Sequence, residues 1–172
     1  MSYVKGKNGT VDTDKVYTPE NIAKLIINKF NLSGKVLDPF KGQGAFYNNY
    51  PETVKKDWCE IDEGKDFFEY KEHVDWIVSN PPYIQKDDIH LTQTSLPFEP
   101  IQALTSDDDG LLDIKLICKE AKKHLENGAP LLIEHGFNQG EKVRAIFTEQ
   151  GYKNVATIKD LGGNDRVTFG LF

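Results

Sequence analysis

The chain has few of the features that mark secreted, membrane or metal-binding proteins. Only two of its 172 residues are cysteines, Cys59 and Cys118, and their spacing fits neither a metal site nor a disulfide framework. No apolar run approaches the roughly 20 residues that span a bilayer, and the polar segment 1–15 does not have the apolar centre of a signal peptide. We therefore expect a cytoplasmic protein without membrane contacts, and we expect it to be a monomer.

The chain also has fewer positively than negatively charged residues. Lysine and arginine total 21 against 27 aspartates and glutamates, which gives a net charge of -6 at pH 7. The densest lysine groups, Lys55-Lys56 and residues 119–123, are interpreted as solvated faces rather than phosphate-binding patches. This balance disfavours a surface that wraps duplex DNA, and it leaves room only for a local basic patch.

What the sequence does contain is the pattern of one α/β domain. The length allows one domain of roughly 100–200 residues, which we place at residues 17–172 after a flexible lead-in at 1–16. Thr18-Pro19-Glu20 is typical of a helix start, with Thr18 as the N-cap. Helices are predicted at 19–30, 110–125 and 138–150, and strands at 35–38, 58–61, 74–79, 130–134, 155–158 and 166–172.

Strands that alternate with helices predict a mainly parallel sheet wrapped by helices. The last two strands have no helix between them, which predicts an antiparallel hairpin at one edge of the sheet. Between Gly44 and Val74 there is too little chain for the two usual crossover helices. We therefore expect the sheet to be trimmed between its first and fourth strands, with short loops or turns instead. An ordered loop over residues 84–109 is expected to cover the strand ends.

A glycine-rich turn, residues 38–46 (DPFKGQGAF), directly follows the first predicted strand. Its glycines, Gly42 and Gly44, let the backbone turn tightly and approach a ligand, and ligands of open parallel sheets bind beyond the carboxyl ends of the strands. Such a turn alone is equally consistent with a plain structural turn. Glu60, at the end of the next strand, could accept hydrogen bonds from both ribose hydroxyls of an adenosine ligand. Considered by itself, it is more simply explained as a solvated charge.

A second motif, Asn80-Pro81-Pro82-Tyr83, ends the buried strand at 74–79. Proline has no N–H to donate, so the carbonyls of Asn80 and Pro81 are left to accept hydrogen bonds. With the Asn80 side chain they form an acceptor cluster that could hold both hydrogens of a planar –NH2 group, while Tyr83 offers an aromatic face for stacking. The structural alternative is a proline-rich turn closed by a cap-like asparagine, but the position downstream of the glycine turn favours function.

Few other residues indicate chemistry. Glu134 and His135 are adjacent at a strand end, but a pair without a third ligand does not predict a metal site, so we expect no metal. The remaining candidates are expected to be structural: His73, His90 and His124 on the surface or in loops, and Cys59 and most aromatic residues in the core.

The glycine turn and the Asn-Pro-Pro-Tyr (NPPY) motif together resemble the S-adenosylmethionine-dependent amino-methyltransferases with a Rossmann-like fold. Residues 15–83 are most similar to small N6-adenine DNA methyltransferases of phage type, through Tyr17-Thr18-Pro19, the glycine turn, Trp58-Cys59-Glu60-Ile61 and Asp66-Phe67-Phe68. The likeness implies that the first two segments hold the methionine end of the cofactor, that Glu60 meets the ribose, and that Asp66 with Phe67 meets the adenine. The cofactor-binding residues it implies are Tyr17, Thr18, Asp38, Pro39, Phe40, Gly42, Gly44, Phe46, Glu60, Ile61, Asp66, Phe67 and Asn80.

Residues 78–172 resemble a different branch, the peptide-chain-release-factor glutamine methyltransferases (HemK-type). The two likenesses meet near residues 74–83, so the chain resembles a hybrid, natural or constructed. The sequence shows neither the helical N-terminal domain with which this branch holds its release factor nor the target-recognition domain of a DNA methyltransferase. The second likeness rests on residues 79–84 (SNPPYI), 90–91 (HL), 98–100 (FEP), 103–104 (AL), 109–111 (DGL), 131–136 (LLIEHG) and 164–168 (NDRVT).

Both families methylate a nitrogen whose lone pair is delocalised, and both leave S-adenosylhomocysteine. We expect transfer to the side-chain amide of a glutamine in a protein such as a peptide chain release factor, because the loop at 84–104 resembles that branch and the chain is acidic. N6-adenine methylation of DNA is the first alternative, and cofactor binding without transfer is the second. The likeness implies that Asn80, Pro81, Pro82 and Tyr83 are catalytic and that Tyr83, Phe98, Glu99 and Pro100 bind substrate.

Overall fold

The computed structural model describes residues 20–42, 44–85 and 105–172, together with the backbone of two short strands, Val4–Lys5 and Val11–Asp12, which pair antiparallel. Its centre is a six-stranded sheet flanked by helices. The strands are β1 (Lys35–Asp38), β2 (Lys55–Trp58), β3 (Trp76–Ser79), β4 (Pro130–Glu134), β5 (Lys153–Lys159) and β6 (Asp165–Leu171), and the longer helices are α1 (Glu20–Phe30), α2 (Leu112–Ala121) and α3 (Gly140–Glu149).

The order of the strands across the sheet is β2-β1-β3-β4-β6-β5. The first four strands in this order are mutually parallel, whereas β6 runs antiparallel to both β4 and β5. The predicted α/β fold, mainly parallel with an antiparallel hairpin at the carboxyl-terminal edge, is therefore confirmed. The trimming is confirmed as well, because β2 is the only described strand of this sheet that lies outside β1 on that side.

Each face of the sheet buries its own hydrophobic cluster. Along β1, Val36 points to the face covered by α1 and Leu37 to the face covered by α2 and α3, as the two-residue period of a strand requires. The apolar residues of each helix recur with the spacing that keeps them on one side. Those that are buried include Ile22, Ile26 and Ile27 in α1, Ile114, Ile117 and Cys118 in α2, and Val143, Ile146 and Phe147 in α3.

Several element boundaries differ from the prediction, among them the start of β2, at Lys55 rather than Trp58, and the start of β5, at Lys153 rather than Val155. Two further differences have local reasons. β2 ends at Trp58 rather than Ile61, because Glu60 turns back to pair with Lys65. α2 begins at Leu112 rather than Gly110, because Asp108, Asp109 and Gly110 all have left-handed backbone angles. These three residues belong to a short helical turn, Asp107–Gly110, which follows the two-residue strand Thr105–Ser106 that pairs with Ile84–Gln85.

The segment from Cys59 to Asp75 takes the place of the missing crossover elements. It contains two single-turn 3-10 helices, Ile61–Glu63 and Phe67–Glu69, and returns the chain from β2 to β3. The rings of Phe67 and Tyr70 both lie 5.5 Å from the ring of His124, centroid to centroid. His124 lies in a turn, which is one of the two expected positions, but it is buried rather than exposed.

Two further expectations of this kind concern His73 and Cys59. His73 is exposed, as expected, and Cys59 is buried in the core, where burial raises its thiol pKa to about 12. His90, most of the loop at 84–109 and most of the lead-in at 1–16 lie outside the described residues. Within the described ranges, no helix has the length and apolar character needed to traverse a bilayer.

Candidate active site

The two sequence motifs meet at one edge of the sheet. β1 and β3 are hydrogen-bonded neighbours and run parallel, so the glycine turn after β1 and the Asn-Pro-Pro-Tyr corner after β3 leave the sheet at the same edge. The carboxyl ends of β2 and β4 lie at this edge too, because both strands are parallel to their neighbours. Ligands of open α/β sheets bind there, and the structure thus brings the predicted groups to one edge of the sheet.

Glu60 is joined directly to the glycine turn. Its carboxylate accepts a hydrogen bond from the backbone N–H of Gly42 at 2.9 Å. The N–H of Lys41 donates to the carbonyl of Cys59, and the N–H of Cys59 donates to the carbonyl of Asp38, so the turn and the end of β2 form one unit. Gly44 has a φ of 79°, a left-handed conformation that favours glycine. An acidic residue beyond the second strand, near a glycine turn, is the type of residue that binds ribose hydroxyls in dinucleotide-binding folds.

Asp38 lies beneath this turn in an unusual electrostatic state. Its side chain is only 2% exposed, and burial, opposed in part by the N–H of Phe40 and reinforced by the charge of Glu60, raises its pKa to about 7. The buried hydroxyl of Tyr50, whose pKa is raised by burial and by Asp38, has no hydrogen-bond partner among the described residues. Asp38 and Tyr50 are therefore two buried, poorly solvated polar groups next to the glycine turn.

The predicted adenine side presents two exposed apolar side chains. Ile61 is 71% exposed and Phe68 is 47% exposed, next to Glu60 and Asp66 respectively. Asp66 accepts a hydrogen bond from the N–H of Phe68 and caps the 3-10 turn. Phe67, by contrast, is buried against Phe40 at 6.5 Å between ring centroids. The exposed ring is therefore that of Phe68, which the sequence did not single out because two adjacent phenylalanines give no signal of direction.

Phe46, the other aromatic residue implied for the cofactor, is buried on the α1 face, together with Val36 and Tyr50. Phe67 belongs to the cluster on the opposite face. The rings of Phe46 and Phe67 therefore do not line one pocket, and each packs in the hydrophobic cluster on its own face of the sheet. Pro39 and Phe40 remain at the turn, where Phe40 is partly buried against the Phe67 cluster.

The Asn-Pro-Pro-Tyr corner is held in the interior. Pro81 is buried, while Asn80, Pro82 and Tyr83 are half-buried. The Tyr83 phenol has a pKa raised by burial and by the charge of Glu134, an effect that Arg166 opposes. The Tyr83 backbone carbonyl accepts a hydrogen bond from the side-chain amide of Gln139 at 3.0 Å. The corner is thus held at the main chain of Tyr83, and the Tyr83 side chain lies in the fields of Glu134 and Arg166.

His135, beside Glu134, is occupied by structural hydrogen bonds. Its Nδ1 lies 2.9 Å from the carbonyl oxygen of Gly136, which can only accept, so Nδ1 carries the proton. Its Nε2 then accepts from the hydroxyl of Thr168, 2.8 Å away. Burial, reinforced by the nearby Arg166, lowers the His135 pKa to about 4. Within the described ranges no three potential ligands cluster as a metal site would require.

Several predicted site residues cannot be placed. Tyr17 and Thr18, implied for the methionine end of the cofactor, and Phe98, Glu99 and Pro100, implied for substrate, lie outside the described residues and stay predictions. Gln139, conversely, is a contact of the corner that the sequence did not indicate. Fifty-six positions separate it from Tyr83, so no local pattern relates the two.

Comparison with solved structures identifies the fold. A methyltransferase from Pyrococcus furiosus superposes with a TM-score of 0.64 at 16% identity, over 90% of this chain and 83% of the other. A release-factor-specific protein-(glutamine-N5) methyltransferase from Alicyclobacillus acidocaldarius superposes with a TM-score of 0.53 at 21% identity, over 91% and 93% of the two chains. The chain therefore has the Rossmann-like fold of these methyltransferases.

Comparison of sequences finds nearer relatives. The release factor glutamine methyltransferase of Shewanella oneidensis is 45% identical over 119 residues, which are 69% of this chain and 39% of that protein. Other proteins of the same name match at 42–52% identity over 96–119 residues. The chain thus spans between a third and two fifths of the length of these relatives. No family model matches it.

Proposed function

We propose that this chain is an S-adenosylmethionine-dependent N-methyltransferase whose substrate is the side-chain amide of a glutamine in a protein, such as a peptide chain release factor. The observation that carries the proposal is the 45% identity to a release factor glutamine methyltransferase over 119 residues. The geometry supports it, because the glycine turn and the Asn-Pro-Pro-Tyr corner leave adjacent parallel strands at the same edge.

The residues present fit the cofactor. The carboxylate of Glu60 is already fixed beside Gly42 by a 2.9 Å hydrogen bond and can accept from the ribose hydroxyls. The exposed side chains of Ile61 and Phe68 offer apolar surface to the adenine. Gly42 and Gly44, with Asp38 below them, would hold the methionine end. When bound, S-adenosylmethionine supplies an electrophilic methyl group on a sulfonium.

The Asn-Pro-Pro-Tyr corner would bind the substrate amide and increase its reactivity. An amide nitrogen is a poor nucleophile because its lone pair is delocalised into the carbonyl. The side-chain oxygen of Asn80 and the carbonyl of Pro81 would accept the two N–H hydrogens and raise the electron density on nitrogen. Tyr83 would stack on the planar amide and orient it. Positioning and electrostatics suffice here, with no covalent intermediate on the protein.

Acceptors of this kind do not distinguish glutamine from adenine, because both offer a planar –NH2 group. Two properties favour glutamine: the relatives named above act on release factors according to their names, and the chain carries a net charge of -6. Binding to the phosphates of DNA would instead favour clustered cations. We further propose a cytoplasmic monomer whose macromolecular partner is the protein substrate itself.

The test is a transfer assay with labelled S-adenosylmethionine. A recombinant release factor and a duplex DNA are offered in parallel, with Asn80→Ala as the control variant, and the labelled product is mapped by mass spectrometry. We expect one added methyl group on a glutamine of the release factor and none on DNA. Label on adenine would overturn the proposal in favour of DNA methylation, and cofactor binding without any label would indicate a non-catalytic binding protein.

A further inference from the structure

The side chain of Gln139 connects three segments at the catalytic corner. Its Oε1 accepts from the N–H of Gly136 at 2.8 Å, and its Nε2 donates to the carbonyls of Tyr83 at 3.0 Å and Asp109 at 3.1 Å. Both hydrogens of the amide are thereby used, inside a side chain that is 7% exposed. An amide that is buried with donors and acceptor all satisfied is fixed in one orientation.

The turn at Asp108–Gly110, which contains the Asp109 carbonyl bound by Gln139, is strained. Asp108, Asp109 and Gly110 have φ angles of 57°, 58° and 77°, three successive left-handed residues of which two carry a Cβ. Such conformations persist only where the surroundings impose them, and they cluster at functional sites. The Gln139 amide holds the carbonyl of Asp109 within this turn. A side chain at Gly110 would overlap the Tyr83 carbonyl oxygen, so the turn and the corner are packed backbone to backbone.

The Tyr83 phenol is held on its other side. Arg166 donates to the carbonyl of His135 and to the carboxylate of Asp160, both at 3.3 Å, and its charge acts on the phenol of Tyr83. Arg166 thus acts on the Tyr83 phenol through its charge, whereas Gln139 binds the Tyr83 carbonyl directly. Loss of Gln139 would release the Tyr83 carbonyl and the turn at Asp109 from each other.

We propose that Gln139 is a positioning residue for methyl transfer: it fixes the main chain of the Asn80–Tyr83 corner so that the acceptors of Asn80 and Pro81 face the substrate nitrogen. This inference rests on the proposed function. Gln139 touches neither cofactor nor substrate; it acts through the carbonyl of Tyr83. Displacing reacting groups by about 1 Å can reduce a rate about 100-fold, so loss of this contact affects turnover more than binding.

The test uses two variants of Gln139 in the full chain. For Gln139→Leu we expect kcat to fall roughly 10- to 100-fold, with the KM for S-adenosylmethionine changed by less than about twofold. Gln139→Glu keeps the size and the acceptor but loses both donors when ionised. Burial against two backbone carbonyls should raise the pKa of the introduced carboxyl toward neutrality. Its kcat relative to wild type should then rise as the pH is lowered from 8 to 6, because the protonated carboxyl regains one donor. Gln150→Glu, at the far end of α3, is the matched control and should keep wild-type kcat at each pH.

A second measurement separates this inference from the proposed function. Hydrogen exchange of the backbone amides at residues 105–111 should be faster in Gln139→Leu than in wild type, while exchange in β1 stays the same. If wild type transfers no methyl group to any substrate, the proposed function fails, and the exchange result still decides whether Gln139 holds the turn. Unchanged exchange, or unchanged kcat in an active protein, overturns the inference.

Discussion

Individual residues of the proposed site are expected to affect either cofactor binding or turnover. Glu60 contacts the glycine turn, where the cofactor is proposed to lie, and Asn80 belongs to the corner proposed to hold the substrate nitrogen. A group that binds cofactor equally before and during transfer changes affinity, whereas a group that meets the nitrogen as its charge develops changes kcat. Substitution of each residue therefore gives a different kinetic signature.

Replacing Asn80 with alanine should lower turnover by about 100-fold or more, because removal of one pre-organised polar group costs a factor of this size. The affinity for S-adenosylmethionine, measured by calorimetry, should stay close to that of wild type. Asn127→Ala, an exposed asparagine ahead of β4 and far from the corner, provides the control and should be fully active. Near-normal turnover of Asn80→Ala would remove this residue from the mechanism.

Replacing Glu60 with alanine should instead weaken the binding of S-adenosylmethionine. A hydrogen bond to a charged group contributes about 1.5–3 kcal/mol, which corresponds to a rise in Kd of roughly 10- to 100-fold. At saturating cofactor, kcat should change little. Glu149→Ala removes an equal charge from the exposed end of α3 and should leave Kd unchanged. Equal calorimetric affinities of Glu60→Ala and wild type would place the ribose elsewhere.

The short turn before α2 is the element on which the corner depends. Gly110 and Gly128 have nearly the same φ, 77° and 82°, but different surroundings. A Cβ on Gly110 would overlap the carbonyl oxygen of Tyr83, whereas a Cβ on Gly128 would have no atom within 4 Å. The pair therefore separates the cost of left-handed backbone from the cost of steric overlap.

Gly128→Ala should destabilise the protein by about 1–2 kcal/mol, the cost of a left-handed residue with a Cβ. Gly110→Ala should cost at least about 2 kcal/mol more, because the neighbouring atom belongs to the main chain and cannot rotate away. Urea denaturation monitored by circular dichroism measures both values. Transfer activity should fall in Gly110→Ala only; similar stabilities of the two variants would mean that the turn moves away from Tyr83 freely.

At the scale of the whole molecule, the sheet was predictable and the packing between distant segments was not. The apolar runs at β1, β3 and β4, with segments of helical spacing before β1 and between β3 and β4, are sufficient to predict a parallel sheet. The short chain between Gly44 and Val74 predicts the trimmed side by length alone. Both motifs follow parallel strands, so their meeting at one edge follows from the topology.

Several of the differences from the sequence prediction involve contacts between residues far apart in sequence, whereas the end of β2 is set locally by the pairing of Glu60 with Lys65. His124 is buried by Phe67 and Tyr70, which come from the segment that replaces the crossover helices. Gln139 contacts Tyr83 across 56 positions. Even the start of α2 was misplaced by a left-handed turn at Asp108–Gly110, which packs against the Tyr83 carbonyl. Local periodicity carries no information about such contacts.

The stability of the molecule combines two buried groups whose titrations oppose each other. Asp38 has its pKa raised from 3.8 to about 7, so the folded state favours its neutral form, and this stabilisation is lost as the pH rises from about 4 to about 7. His135 has its pKa lowered from 6.5 to about 4, so its stabilisation is present above pH 6.5 and is lost as the pH falls toward 4. Between about pH 4 and 6.5, a rise in pH therefore lowers the contribution of Asp38 to the free energy of unfolding and raises that of His135.

Asp38→Asn removes the pH dependence of the unfolding free energy that comes from Asp38 and keeps the part that comes from His135. Each pH unit of such a titration changes the free energy of unfolding by about 1.4 kcal/mol. The difference in unfolding free energy, variant minus wild type, should therefore grow by about that amount per unit from pH 4.5 to 6.5, and the other titrating groups cancel in the difference. Urea denaturation at three pH values, without cofactor, measures it. A difference that is constant with pH would mean that Asp38 is ionised in the folded protein throughout, and that the base of the glycine turn is better solvated than its burial implies.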